Sequence, residues 1–417
     1  MMSLANLYTP KQSSAASSTD YVFSQLIPYI GNKRKLLWLI EQAIRETGVS
    51  GGTFADFFTG SGVVARFAKL SGFRVLANDW EPYAKVLNQA YIACNTLPVF
   101  AHLDGAQSAF ETLNSIPPLD GYLATHLCPR FDENPNHDTE RLFFTRANGM
   151  KLDAMREQIQ LWRDQEVITS AEEGLLIAAM LYSVSYVSNT SGVFKGFHRG
   201  WGGRTQTALH RIRSDVRLRI PILHDNGLHN AAYRMDAQAL ATRLAADGET
   251  LDIAYLDPPY NQHPYGSNYH VLNTVALWDK PEITPHIEGR NKSAIRLDWR
   301  TERRSAYNYA TALAAYEKLI QTISARYILT SYSTDGNIPL ENLLQAAAGR
   351  GKISCVTHAY KRYRVSAQRM SAKPMNVEFV LTIDTSQQSS SGWAEILGSE
   401  IRRLEADALA THHSTLS

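Results

Sequence analysis

Short apolar runs alternate with helix-patterned stretches, and that alternation most narrows the folds open to this chain. Thr53–Phe57, Phe73–Ala77, Leu251–Leu256 and Tyr327–Tyr332 are mainly apolar, too short for helices, and each gives way to a turn or to polar residues. Val63–Leu70 and Ala84–Tyr91 carry helical patterning between them. Strand–helix alternation of this kind predicts an α/β fold with a mainly parallel sheet. Ile353–Tyr360 and Val377–Ile383 are two later strand candidates, close enough to pair as a long antiparallel hairpin.

Between these blocks the texture changes. Residues 100–230 hold a polar loop, Pro129–Asp138, two helix-like stretches, Thr139–Trp162 and Ser170–Ser185, a Gly/Arg-rich loop, Gly192–Arg204, and a basic segment, His210–Arg219. We read them as a mainly helical insertion in an α/β core formed by residues 24–99 and 231–384. Residues 1–23 read as a disordered Ser/Ala-rich leader without the apolar centre of a signal peptide. Thr385–Gly392 reads as a Ser/Gln-rich linker and Trp393–Ala410 as a terminal helix, together residues 385–417. No run approaches about 18 uninterrupted apolar residues, so no membrane partner is expected. Cys94, Cys128 and Cys355 lie far apart and suggest neither a metal site nor a disulfide framework, as in a cytoplasmic protein. The net charge of +2 neither requires nor excludes nucleic acid, so the placement of charge matters more than its sum.

The most specific local signal is Asp257-Pro258-Pro259-Tyr260, directly after the apolar run Leu251–Leu256. A chance match in this chain has odds of about one in a thousand. Such a loop suits chemistry on an exocyclic amino nitrogen, whose lone pair is delocalised into its ring. Two acceptors, the Asp257 carboxylate and the Pro258 carbonyl, can localise that lone pair, and consecutive prolines hold the carbonyl in place. Tyr260 offers a face for an extruded base. The positive charge that develops on nitrogen is then stabilised without a metal.

A second group reads as a nucleotide-type cofactor site. Asp56 to Gly62 follows the first strand and precedes a helix, and Gly60 and Gly62 allow a tight turn close to a ligand. Asp79 ends the next strand 23 positions after Asp56, where an acid can bind ribose hydroxyls, although it can equally cap the helix that begins near Glu81-Pro82. Near the N-terminus, Tyr29 and Lys33 offer a packing ring and a cation for a cofactor carboxylate, though the segment also reads as a plain helix start.

Taken together these residues resemble the Dam-type, class alpha N6-adenine DNA methyltransferases. That family orders its motifs as an aromatic-x-Gly-x-Lys element, a glycine loop, an acidic ribose ligand, a target-recognition insertion and then D-P-P-Y. The matching residues here are Tyr29, Gly31 and Lys33, then Asp56 to Gly62, Asp79, roughly 100–230, and Asp257 to Tyr260. Asp236 falls where the family has an acid near the cofactor adenine. Asn268–Thr274 and Trp278-Asp279 also look like the restriction-modification members. Tyr29 stands where tryptophan is common and Asn32 where glycine is common.

The resemblance, over residues 24–384, implies a Rossmann-like seven-stranded sheet with one antiparallel strand. It implies S-adenosyl-L-methionine as cofactor, double-stranded DNA as substrate and a cognate restriction endonuclease as a companion at the same site. An RNA base methyltransferase, an inactive nucleic-acid-binding module and an N4-cytosine enzyme are rivals; the last usually carries serine in place of Asp257. A nicotinamide-dependent dehydrogenase fits less well, because the third glycine of its fingerprint is missing.

The insertion carries the densest basic segment. Between Lys195 and Arg219 there are seven basic residues against the single acid Asp215, and Phe194, Phe197, Trp201 and five glycines from Gly192 to Gly203 lie before or among them. We expect Lys195, Arg199, Arg204, Arg211 and Arg213 to contact DNA. Further basic clusters lie at Lys361–Lys373 and at Arg290–Arg304, the latter partly neutralised by Asp298 and Glu302.

Overall fold

The computed structural model describes residues 18–414 except 261, 263, 286, 288 and 362–374. Its centre is a seven-stranded sheet: β1 Thr53–Asp56, β2 Arg74–Asn78, β3 Ala231–Tyr233, β4 Leu251–Leu256, β5 Ala325–Ser333, β6 Lys352–Lys361 and β7 Met375–Asp384. The strand order is β3-β2-β1-β4-β5-β7-β6. Every neighbouring pair is parallel except those made by β7, which runs antiparallel to β5 and β6. The expected strands and late hairpin are present, and the fold class is the expected one. The three-residue edge strand β3 was not anticipated, because so short a run shows no alternation to read.

Sixteen α-helices are described. In the first half they are α1 Ser18–Phe23, α2 Leu37–Glu46, α3 Val63–Leu70, α4 Pro82–Asn88, α5 Ala106–Ser115, α6 Tyr122–Leu127, α7 Arg146–Asp164, α8 Ser170–Val187 and α9 Leu209–Ile212. The second half has α10 Ala237–Ala246, α11 Tyr265–Asn268, α12 His270–Leu277, α13 Trp299–Glu302, α14 Ala312–Thr322, α15 Leu340–Ala348 and α16 Trp393–Ser414. On one face of the sheet α1, α2 and α3 bury Leu37, Ile40, Val64 and Phe67. On the other α10, α14, α15 and α16 bury Leu240, Leu319, Leu343 and Ile401. Each such fully buried side chain contributes about 1.5–3 kcal/mol relative to exposure.

The insertion does not keep a core to itself. α7 and α8 share one apolar cluster with Tyr83 and Leu87 of α4 and with Val271, Leu272 and Val275 of α12. α8 is apolar on nearly every side, which fits a helix enclosed by α4, α7 and α12. Its start is fixed by a capping box between Thr169 and Glu172. None of the helices is long and apolar enough to cross a membrane, among the described residues.

Three boundaries differ from expectation. The leader read as spanning 1–23 gives way to α1 at Ser18, where Tyr21 and Val22 enter the core. The helix expected over Thr139–Trp162 begins at Arg146, capped by Thr145; Leu142, Phe143 and Phe144 before it are buried without being helical, and Arg141 donates to the carbonyls of Thr284, Asn291 and Lys292. An apolar run that packs as an irregular segment looks like helix from its composition alone. The helix expected over Ala84–Tyr91 starts at Pro82 and passes into a π turn, Gln89–Ala93.

Candidate active site

The chain adds strands outward from β1 through β2 to β3, then returns to start β4 on the other side of β1. The crevice outside the carboxyl ends of β1 and β4 is therefore a topological switch point, where open α/β sheets bind ligands. Asp56 ends β1 opposite Tyr255 of β4, so two motifs about 200 residues apart become neighbours. One cleft there is lined by Tyr29, Lys33, Asp56, Gly60, Asp79, Asp236 and Asp257–Tyr260. Of the residues expected at the cofactor or in catalysis, Gly62 alone does not line it. With φ +80° it forms the left-handed entry to α3, so it shapes the turn.

Gly60 is required for two reasons. Its φ is +52°, and a Cβ there would lie 2.5 Å from the Tyr29 ring. Tyr29 thus roofs the glycine loop, stacked on Tyr265 and Tyr269 at centroid distances of 5.2 and 4.9 Å. Asp79 accepts from the Gly60 N–H at 2.8 Å and from the Glu81 N–H at 2.9 Å. It ties the glycine loop to the residue that precedes α4, while its side chain also lines the cleft. Burial pushes its carboxyl up to about 6 against those two donors. Burial also raises Asp56, opposed by the Phe58 N–H that it accepts. Asp236 caps α10 by accepting from the N–H groups of Gln238 and Ala239 while lining the cleft.

On the other side of the crevice, Asp257 meets Lys33. The Lys33 Nζ is 3.1 Å from Asp257 Oδ1, 3.9 Å from Glu378 Oε2 and 5.0 Å from the centre of the Tyr260 ring, with the lysine side chain only 3% exposed. Burial alone would lower the lysine, but Asp257, Tyr260 and Glu378 together hold it well above its ordinary value. Burial pushes Asp257 up to about 6, with Lys33 opposing. The lysine expected at a cofactor carboxylate is thus paired with the Asp257 carboxylate, because an unpaired buried ammonium is far costlier than a paired one. The Tyr260 ring stands edge-on to Tyr332 at 5.8 Å, with Pro258 and Pro259 beside it in the cleft.

The sequence reading missed several lining residues: Trp80, Glu81, Met235, Arg303, Tyr307 and Asn308. Arg303 is buried, 3.5 Å from Glu81 and hydrogen-bonded to Asp298 and Glu302. Arg296 pairs in turn with Asp279 and Asp298. Two members of the basic cluster read at Arg290–Arg304, Arg296 and Arg303, thus belong to an ion-pair network. Its interleaved acids, Asp298 and Glu302, were the available clue. Burial pushes Glu81 up to about 7, opposed by Arg303. Glu378 was also missed, although a lone acid between Val377 and Phe379 in an apolar strand is a visible signal.

The Gly/Arg-rich loop reaches the rim of this cleft. A Cβ on Gly192 would lie 3.2 Å from Pro28, and the Phe194 N–H donates to the Asn268 carbonyl at 2.7 Å. Lys195, Arg199, Arg204 and Arg213 are exposed. Arg211 differs: half-buried, it donates to the Ser185 and Ser188 carbonyls at the end of α8, at 3.1 and 3.0 Å. The interleaved aromatics also serve the interior. Phe194 is buried against Phe143, Phe197 packs on Phe143, and Trp201 donates to the Asp132 carbonyl. Of the Lys361–Lys373 cluster, residues 362–374 lie outside the described residues. No group of three or more His, Cys, Asp or Glu is arranged to hold a metal ion, among the described residues.

Comparison with known proteins agrees with this geometry. A model of the D12 class N6 adenine-specific DNA methyltransferases matches residues 29–296. The chain is 30% identical to the modification methylase LlaI of Lactococcus lactis subsp. lactis, over 85% of its own length and 54% of that protein. It is 31% identical to the type II methyltransferase M.NlaIII of Neisseria lactamica, over 81% of its length and 92% of the relative. The type II methyltransferase M.FokI of Planomicrobium okeanokoites is 28% identical, over 83% and 50%. The chain thus spans about half of the LlaI and M.FokI proteins and nearly all of M.NlaIII.

Proposed function

The chain belongs to the D12 class of N6 adenine-specific DNA methyltransferases, and from that premise we propose that it methylates the N6 amino group of adenine at a specific site in double-stranded DNA. The methyl donor is S-adenosylmethionine, and the protein acts in the cytoplasm as the modification partner of a restriction endonuclease reading the same site. One observation carries the reading: Asp257-Pro258-Pro259-Tyr260 stands at the end of β4, in the same cleft as Asp56 and the Gly60 turn.

The cleft suits the cofactor. Asp79 offers acceptor oxygens for ribose hydroxyls at the end of β2, Gly60 lets a ligand approach the backbone, and Tyr29 with Asp56 supplies a ring and a carboxylate beside it. When bound, S-adenosylmethionine supplies an electrophilic methyl group on a sulfonium. The protein's own work is on the adenine. The base is drawn out of the stack and rests on Tyr260. Asp257 and the Pro258 carbonyl accept one N–H each, which turns the nitrogen lone pair toward the methyl carbon. Held this way, the amino nitrogen would take up the methyl group that the cofactor supplies, and its surplus proton would pass to the Asp257 carboxylate and on to water. Because Asp257 must be ionised to accept, and its carboxyl sits at about 6, activity falls as pH drops through that value.

Lys195, Arg199, Arg204 and Arg213 are exposed cations of the basic segment and are proposed to meet phosphates or base edges. Sequencing the modified bases in DNA from cells expressing the protein tests the reading. N6-methyladenine at one recurring sequence supports it. Unmodified DNA, together with methylation of a matched RNA oligonucleotide in vitro, would replace it with the RNA enzyme.

A further inference from the structure

Glu378 has no place in the mechanism above, yet it is one of the most costly residues in the fold. It sits in β7, paired with Ser333 of β5 and His358 of β6, in a strand that is otherwise almost wholly apolar core. Alternation along β7 sends Val377, Phe379 and Leu381 into the core beneath α14 and α15, and Val380 to the opposite face with α2 and α3. Glu378 shares the face of Val380, the face on which Lys33 precedes α2. A carboxylate there costs several kcal/mol in desolvation, which an apolar residue would avoid. Its Oε2 accepts no hydrogen bond; the nearest cation is Lys33, 3.9 Å away. Its other oxygen is near the Asn376 amide at 3.4 Å.

We infer that Glu378 is a positioning residue for methyl transfer, acting through Lys33 to keep the Asp257 carboxylate a strong acceptor for the adenine amino group. The inference rests on the proposed adenine chemistry. Lys33 and Asp257 alone would form a neutral pair, and the ammonium would draw charge from the carboxylate just when positive charge grows on N6. Glu378 takes a share of Lys33, and the three groups together carry one net negative charge. That charge is preorganised in a site where water contributes little, so it favours the transition state over the neutral ground-state amine.

The groups facing this triad come from every surrounding element. Asp257 has Lys33 before α2, Asp56 at the end of β1, Tyr255 on β4, and Tyr260 and Tyr265 after β4. Glu378 has Lys33, Asp335, Asn376 and Ser333. Glu378 raises Asp257 and Lys33 lowers it. Removing the Glu378 charge therefore lowers the Asp257 carboxyl, both directly and by leaving Lys33 to Asp257.

This gives a signature that loss of packing would not produce. In steady-state methylation of DNA carrying the target site, Glu378→Gln is expected to lower kcat about 10- to 100-fold. The KM for S-adenosylmethionine should stay within about twofold. The acid limb of the kcat–pH profile should move to lower pH even as the plateau falls. Glu378→Asp keeps the charge; it is expected to retain kcat within about tenfold and an acid limb close to wild type. It also serves if the glutamine variant does not fold. An unchanged kcat and pH profile in Glu378→Gln overturns the inference, as does an aspartate variant as inactive as Asp257→Ala. A lower kcat with an unmoved acid limb also overturns it and makes Glu378 structural. A wild-type protein that forms no N6-methyladenine overturns the functional reading itself.

Discussion

The cleft at β1 and β4 and the basic loop from Lys195 to Arg219 are both rich in charge, and they handle it in opposite ways. In the cleft, Lys33 is held by Asp257 and Glu378, Arg303 by Glu81 and Asp298, and Asp79 by two backbone donors. These groups are buried or partly buried and already oriented before any ligand arrives. In the loop, Lys195, Arg199, Arg204 and Arg213 are exposed, so they can meet a phosphate at little desolvation cost. Arg211 lies in the loop by sequence but behaves like the cleft, with its guanidinium on the last carbonyls of α8. Burial rather than residue type thus separates the charges of the cleft from those of the loop.

The contrast can be broken by substitution, and the largest effect is expected deepest in the cleft. Asp257→Ala should reduce kcat by about a thousandfold or more, with the fold retained, as measured in single-turnover assays beside thermal melts. Tyr260→Ala should lose about 1–3 kcal/mol of base stacking, whereas Tyr260→Phe keeps the ring and should stay active. Equal activity in those two variants would remove Tyr260 from the base pocket. Asp79→Ala should raise the KM for S-adenosylmethionine about tenfold or more while leaving that for DNA nearly unchanged. A folded variant with an unchanged cofactor KM would leave Asp79 only its bonds to Gly60 and Glu81.

At the loop the effects become smaller and sort by burial. Alanine at Arg199, Arg204 or Arg213 should each reduce the salt slope of DNA binding by about one unit if the contact is to phosphate. If the contact is to a base edge, it should cost about 1–3 kcal/mol on the preferred site alone. Arg211→Ala should instead lower the melting stability by about 1 kcal/mol, with the salt slope kept. A full loss of salt slope in Arg211→Ala, with stability unchanged, would erase the distinction drawn between the two regions.

What the sequence disclosed followed the same division. The strands of four or more residues were readable, as were the glycine loop and the tetrapeptide at their ends, because each is local. β3 was too short to show a pattern, and Leu142–Phe144 resembled helix because apolar composition does not distinguish a buried irregular segment from a buried helix. Lys33 was drawn to the cleft from its local motif, but its pairing with Glu378 was not legible, since that residue lies over 300 positions away and meets it only through the order of β5, β7 and β6. Arg303 lay in a cluster already read as partly neutralised by Asp298 and Glu302, but nothing local to it pointed to Glu81. Phe194 and Phe197 looked like base-stacking rings until Phe143 appeared beside them.

The central claim is that Asp257–Tyr260 directs methyl transfer to the adenine amino group. The most direct test incubates the protein with methyl-labelled S-adenosylmethionine and duplex DNA, digests the DNA to nucleosides, and identifies the labelled one by chromatography and mass. Label in N6-methyladenosine's deoxy form, absent with Asp257→Ala, is the expected result. Label in N4-methylcytosine, or equal labelling by wild type and Asp257→Ala, would contradict the claim.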